Sequence, residues 1–293
     1  MTRVLSLFLL STLGLAQAAD PVSFNVATGS PTGTYSVMFK NIGLICAQSA
    51  YLKERGTGGS LDNIDLLMTN QVSLAFVQSD VLKARQQIDQ DPRMANIKAL
   101  LPLYNEEIHV FAKPPVTSKS ILGKVTVKGV QAFTDLKDKR VAAWGGSIIT
   151  AKVLSAKLAL PYSIVSVKDQ PAAFAALNAG QVDAVLAVVG QPAAWVKGLS
   201  GVNLIPLPFS PPLEGIYTGA KLLYPNLSVS GVPTVAVQSV LVTRDFKTPD
   251  KKDRLLAYKK CAIGKLINLQ EDEGMHPKWQ EVTFKTWPWE EYK

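Results

Sequence analysis

Phe24-Asn25-Val26-Ala27-Thr28-Gly29-Ser30-Pro31-Thr32-Gly33-Thr34-Tyr35 decides how the chain is read. Residues 24–27 suit a buried strand, residues 28–34 are turn formers, and Met38, Ile42, Ile45 and Leu52 then recur at helical spacing on one face. Strand, small-residue turn, helix is the opening of an α/β unit.

The rhythm continues outward from that stretch. Gly56-Thr57-Gly58-Gly59-Ser60 leads into a helical pattern through Leu61, Ile64, Leu67 and Met68, and then into the strand Leu74-Ala75-Phe76-Val77. Strands this continuously apolar are expected in a sheet covered on both faces, hence largely parallel. A long apolar passage, residues 97–104 and 108–112, ends at Lys113-Pro114-Pro115, and the pattern restarts. Residues 140–144 read as a strand, Gly145-Gly146-Ser147 opens a helix, and strand, helix and strand follow at 162–167, 170–179 and 182–189. A Pro- and Gly-rich crossing over 206–233 precedes the apolar run 234–242, and a last helix begins near Pro249, where Thr248 can cap it.

Two echoes link the halves: Gly58-Gly59-Ser60 with Gly145-Gly146-Ser147, and Leu67, Gln71, Val72 and Ala75 with Leu177, Gln181, Val182 and Ala184. They suit two lobes of one plan. The expected division is a leader at 1–18, a first lobe at 19–112, a second at 113–232, and residues 233–293 completing the first lobe and ending in a helix and tail. Crossings near Lys113 and Val232 would form a hinge.

A chain of 293 residues that is 47% hydrophobic and 18% charged buries a large core, which excludes disorder. Its formal net charge of +8 would help attract anionic ligands or membrane surfaces, reads first as an ordinary basic surface, and says nothing about fold. Arg3, the apolar run 4–15 and Ala16-Gln17-Ala18 together describe a cleavable secretory signal, with cleavage expected after Ala18. The run is shorter than the roughly 20 residues a membrane span needs. No Cys follows the cleavage site before Cys46, which argues against a lipid anchor and places the protein in a periplasm. There, Cys46 and Cys261 admit two readings: one disulfide closing a long loop, or two buried thiols.

Two His and two Cys offer no metal-ligand spacing and no CxxC, and no G-x-S-x-G elbow or phosphate-binding G-x-x-x-x-G-K-[ST] loop occurs. No metal, cofactor or nucleic acid is expected, and no enzymatic activity; Asp80, His109 and Ser147 are thin candidates for chemistry. What recurs is a small-residue loop feeding a helix N-terminus, where unpaired N–H groups and the helix dipole hold carboxylate or phosphate. The candidate ligand-binding set is therefore Thr28, Gly29, Ser30, Tyr35, Gly59, Ser60, Gln78, Gly145, Gly146, Ser147 and Gln191. Tyr35 supplies a hydroxyl at the first helix start, and Gln78 and Gln191 supply amides after apolar strands. Trp144 reads as packing.

Residues 27–35 resemble the glycine- and threonine-rich opening motif of the TAXI family of solute-binding proteins from TRAP transporters. Thr57-Gly58-Gly59-Ser60-Leu61-Asp62-Asn63 with residues 74–80 looks like that family's second block, and Gly180-Gln181-Val182-Asp183-Ala184 with Gly190-Gln191-Pro192 resembles a later one. The resemblance runs with gaps from about Phe24 to Thr243. It implies a type II-like periplasmic binding protein of two α/β lobes, a monomer that closes on a small anionic solute and delivers it to an integral membrane TRAP permease. Family ligands are small carboxylates, including amino acids such as glutamate. The chain departs from the family at Ser30-Pro31-Thr32, usually richer in glycine, and at residues 144–150, a loop shorter than usual. A periplasmic enzyme acting on a small acid, or the ligand-binding partner of a sensor, are the alternatives.

Overall fold

The computed structural model describes residues 23–293 except 89, 124, 229 and 286; the expected signal lies outside the described residues. In chain order the elements are β1 Ser23–Ala27, α1 Thr34–Ile45, β2 Tyr51–Arg55, α2 Ser60–Met68, β3 Leu74–Gln78, α3 Ser79–Gln87 and β4 Ile97–Ala112. Then come β5 Val116–Lys119, β6 Val125–Lys128, β7 Arg140–Ala143, α4 Ser147–Lys157, β8 Ser163–Ser166, α5 Gln170–Asn178, β9 Ala184–Val189 and α6 Ala194–Lys197. Short strands β10 Asn203–Leu204 and β11 Thr218–Leu222 precede β12 Val232–Arg244, α7 Pro249–Gly264 and α8 Leu266–Glu271.

The main sheet runs β2-β1-β3-β12-β4-β9-β7-β8, with β10 and β11 attached to β4 and β12. Each end is parallel, β1 with β2 and β3, β7 with β8 and β9. The centre is antiparallel, because β12 runs against both β3 and β4, and β4 against β9. The expected parallel sheet is thus two parallel wings joined by two long antiparallel strands. Continuous apolarity signals burial on both faces, which a central antiparallel strand under helices also has.

Those two strands belong to both lobes. Leu100, Leu101, Leu103 and Tyr104 of β4 pack with α1, α7 and Leu269 of α8, whereas Ile108, Val110 and Ala112 pack with α4 and β9. Along β12, Val235 and Val237 join the second core while Val240 and Val242 join the helices α2 and α3 of the first. The change of core partner therefore falls between Tyr104 and Ile108 in β4, and between Val237 and Val240 in β12. Residues 97–104 and 108–112, read as separate runs, are one 16-residue strand.

Local readings are corrected at several points. Helix α1 ends at Ile45, and Leu52 lies in β2 instead of on the helix face, since a turn reverses the chain after Cys46. Thr248 occupies the N-cap of α7 without a side-chain hydrogen bond to it. The crossing before β12 contains β11, paired with residues 232–236, and β5 and β6 form an exposed hairpin the pattern did not suggest. Of the two readings for the cysteines, the structure takes the disulfide: Cys46 at the end of α1 bonds Cys261 of α7, with Cα atoms 5.9 Å apart.

The second echo is a true structural correspondence. The N–H of Gln71 bonds the carbonyl of Leu66, and that of Gln181 bonds Ala176; Ser73 N–H then reaches Asn25 and Asp183 N–H reaches Arg140, entering β3 and β9 alike. The first echo is not a topological one. Gly58-Gly59-Ser60 opens the second helix of its lobe, but Gly145-Gly146-Ser147 opens the first helix of the other. The counterpart of Gly58-Gly59-Ser60 is Lys168-Asp169-Gln170 before α5, where the Asp169 side chain accepts from Ala172 N–H at 3.0 Å.

Candidate functional site

Helices α1, α2, α4 and α5 all start at one cleft between the lobes, which encloses about 370 Å³ and is lined by Thr34, Tyr35, Ser60, Ser147 and Gln170 from their first turns. The cleft lies at the carboxyl ends of the parallel strands, where Gly29 follows β1, Gln78 ends β3, Trp144 follows β7 and Val188 and Val189 end β9. This is where open α/β sheets gather their ligands, because every strand-to-helix turn opens there. First-turn N–H groups without intrahelical partners give the site positive potential.

Of the expected residues, Gly29, Ser30, Tyr35, Gly59, Ser60, Gln78, Gly146 and Ser147 line this cleft together. Thr28, Gly145 and Gln191 stand outside its lining. Thr28 is buried and donates to Glu54 Oε1 at 3.0 Å, holding β1 to β2. Gly145 has φ +48, and a Cβ there would overlap the carbonyl oxygen of Gly58. It is the point where the two glycine loops touch. Gln191 ties the end of β9 to β4 and β11, its backbone N–H donating to Glu107 Oε2 at 2.8 Å and its side-chain amide to Lys221 O at 2.7 Å.

The serine hydroxyls act in parallel. Ser60 Oγ accepts from Gln78 N–H and Ser147 Oγ from Val188 N–H, each at 3.0 Å, so each serine locks a helix start to the end of a strand in its own lobe. Gln78 Oε1 is buried with no hydrogen-bond partner, below the open Cα face of Gly146 on the opposite wall.

Glu106 is the largest surprise of the lining. It is 3% exposed, accepts from the Tyr35 hydroxyl at 2.5 Å, and has no cation paired with it among the described residues. Burial pushes its carboxyl up to about 8, the Tyr35 hydrogen bond opposes this, and Asp80 and Glu107 add to the rise. Its neighbour Glu107 points the other way along the strand and is paired with buried Lys278 at 2.5 Å. Trp144 and Trp195 stand edge to face with ring centroids 6.4 Å apart, and both line the cleft. Trp144, read from the sequence as packing, packs against the second lobe's core and also walls the cleft. Lys168, Asp169 and Gln170 also line it, carried by the loop that corresponds in the second lobe to Gly58-Gly59-Ser60.

Contacts across the cleft hold the lobes together. Thr34 Oγ1 donates to Gly190 O at 2.9 Å, and Lys83 Nζ to Gly215 O at 3.1 Å. Asp80 Oδ2, fully buried on α3, accepts from Thr150 Oγ1 at 2.7 Å and the Tyr217 hydroxyl at 2.9 Å, both in the second lobe. Burial pushes the Asp80 carboxyl up while those two donors pull it down. His109 is a buried sheet residue, with Nδ1 2.9 Å from Glu107 O and Nε2 3.0 Å from the Tyr224 hydroxyl; burial pushes it down to about 3, leaving it neutral. Neither Asp80 nor His109 lines the cleft, and the Ser147 hydroxyl is already engaged. Among the described residues no group of three or more His, Cys, Asp and Glu could hold a metal ion, and no helix is long and apolar enough to cross a membrane.

A model of the NMT1-like family matches residues 26–207, which contain every strand-to-helix turn of the cleft. The chain belongs to the NMT1-like family. Solved structures similar to this NMT1-like chain share the two-lobed α/β fold of solute-binding proteins. The GluR0 ligand-binding core from Nostoc punctiforme, in complex with L-glutamate, is 16% identical over 88% of this chain and 95% of that one, with a TM-score of 0.50. The amino acid ABC transporter substrate-binding protein AbpA from Streptococcus pneumoniae, bound to L-arginine, is 17% identical over 90% and 97%, with a TM-score of 0.53. An ancestral arginine-binding protein bound to arginine is 14% identical over 88% and 96%, at 0.50. No curated protein matches the chain.

Proposed function

We propose that this chain is an extracytoplasmic, periplasmic solute-binding receptor that captures a small carboxylate-bearing solute and delivers it to a membrane permease of the TRAP type. The observation that carries the reading is the convergence of four helix N-termini, from both lobes, on one enclosed cleft. Amides preorganised around an anion contribute binding energy without reorganisation, and exclusion of water between the lobes strengthens each contact. The lobes divide within β4 and β12 in this proposal, shifted by several residues from 112/113 and 232/233, so that both strands bend as the cleft opens. The ligand contacts assigned are Gly29, Ser30, Tyr35, Gly59, Ser60, Gln78, Gly146 and Ser147, with Lys168 and Gln170 added. The exported chain acts as a monomer without a cofactor. Support for the TRAP partner comes from the motifs at residues 27–35, 57–63 and 180–192.

Thermal unfolding of the purified protein against dicarboxylates, keto acids, amino acids, phosphates and sulfonates tests the reading. A ligand at about a hundred times its dissociation constant adds roughly 2.7 kcal/mol, about 5 to 10 °C at this size. A shift with one chemical group, without turnover of that compound, is the expected result; turnover would replace the receptor with an enzyme.

A further inference from the structure

The cleft lining holds groups of two opposite kinds. Four helix starts favour an anion, yet the cleft also holds a carboxyl group and a bare amide oxygen. Glu106 Oε2 is satisfied by Tyr35, and no lysine or arginine among the described residues pairs with the carboxyl, although its neighbour Glu107 has Lys278. Gln78 Oε1, an acceptor in a residue 3% exposed, has no donor at all. A buried acceptor without a donor carries an uncompensated desolvation cost, larger when charged, unless something that binds there supplies one. An anion cannot do so.

We infer that Glu106, with Gln78 beside it in the lining, forms an ammonium subsite, so that the solute carries an amine as well as a carboxylate. This rests on the receptor reading and narrows it: plain dicarboxylates and keto acids leave Glu106 without a cation and Gln78 Oε1 without a donor. The indole faces of Trp144 and Trp195 in the same lining add an environment that suits a cation. Other titratable groups around Glu106 are Tyr35 from α1, Asp80 from α3, Glu107 on its own strand and Lys278 from the turn at 277–281. Tyr104 also lies close. Lys278 is committed to Glu107 and Glu281, so the place of a counter-ion to Glu106 is left to the ligand.

The test is a matched comparison by isothermal titration: L-glutamate against glutarate, L-glutamine against 4-carbamoylbutanoate, L-leucine against 4-methylpentanoate, and 1,5-diaminopentane as an amine without a carboxylate. At least one amino acid is expected to bind, and its amine-free partner to bind at least about a hundredfold more weakly, because a site built for a donor rejects the analogue lacking it. Glu106→Gln keeps an acceptor for Tyr35 and removes the carboxylate that a bound ammonium would stabilise, and is expected to lose most of that discrimination. An amine-free acid that binds as well as its amino partner overturns the ammonium subsite and leaves the receptor standing. Discrimination unchanged in Glu106→Gln overturns the assignment to Glu106. Binding of the diamine alone supports the subsite and removes the carboxylate from the proposed function, whereas no binding by either kind of compound overturns the ammonium subsite and leaves the receptor reading to the wider thermal panel. Should Glu106→Gln not fold, the amino-to-amine-free ratio in the unaltered protein still decides.

Discussion

Gly146 separates space from backbone conformation as a reason for glycine. Its φ of −59° and ψ of −29° are ordinary helical values, so an alanine would meet no backbone strain. A Cβ would nevertheless collide with the Gln78 side chain and come within 3.0 Å of Ser60 Cβ, both on the other lobe. Gly146→Ala is therefore expected to hold the lobes apart, lowering ligand affinity at least about tenfold while urea unfolding of the unliganded protein changes by less than about 0.5 kcal/mol. Full affinity in titration would show that the cleft closes less tightly than this. Gly145→Ala would combine the two, since its Cβ would overlap the Gly58 carbonyl oxygen on the other lobe and φ +48 costs an L-residue a further roughly 1–2 kcal/mol whether or not ligand is bound. At this scale the sequence revealed the glycines and serines, which announce themselves as helix-start chemistry. It hid Glu106, because Asn105-Glu106-Glu107 between apolar runs looks like a surface turn. In the fold the three residues continue one strand, whose alternation sends Glu106 to Tyr35 and Glu107 to Lys278.

Elements were legible where a local pattern marked them: the helical spacing of α2, the small-residue opening of α4 and the continuous apolar runs of β3 and β9. They were not legible where pairing came from far along the chain. Strand β11 is the clearest case: Thr218–Leu222 has no strong alternation and is a strand only because residues 232–236 offer it an edge. The direction of the sheet was misread for the same reason, since burial on both faces is local and the neighbour's direction is not. The disulfide is another long-range fact, joining residues 215 apart and tying the end of α1 to α7 across the first core. That linkage closes about four-fifths of the described chain, and constraining so long a loop in the unfolded state is worth about 2–4 kcal/mol. Cys46→Ala with Cys261→Ala is expected to lower the thermal midpoint by roughly 5 to 15 °C, read by circular dichroism with and without reductant. Reductant should lower the unaltered protein likewise and leave the double variant unmoved; equal midpoints for both proteins without reductant would deny the bond a stabilising role.

Over the whole molecule, closure is a balance of a few contacts. Asp80 is the most exposed to failure among them: buried on the first lobe, it draws both of its side-chain donors, Thr150 and Tyr217, from the second. Opening would return the carboxylate to water, whereas closing without donors would leave it buried and unpaired, at a cost of several kcal/mol. Thr150→Val with Tyr217→Phe removes both donors while leaving the cleft lining as it is. Because a ligand shifts an equilibrium only by its differential affinity for the two states, the same ligand should then close a smaller fraction of molecules. Small-angle scattering should give a smaller radius of gyration on adding ligand to the unaltered protein, and a weaker contraction at equal saturation in the double variant. Affinity should fall in the variant in step with the lost closure, since the competent state is less populated. A contraction as large as in the unaltered protein would move control of closure from Asp80 to the glycine loops, where Gly58 and Gly145 already meet.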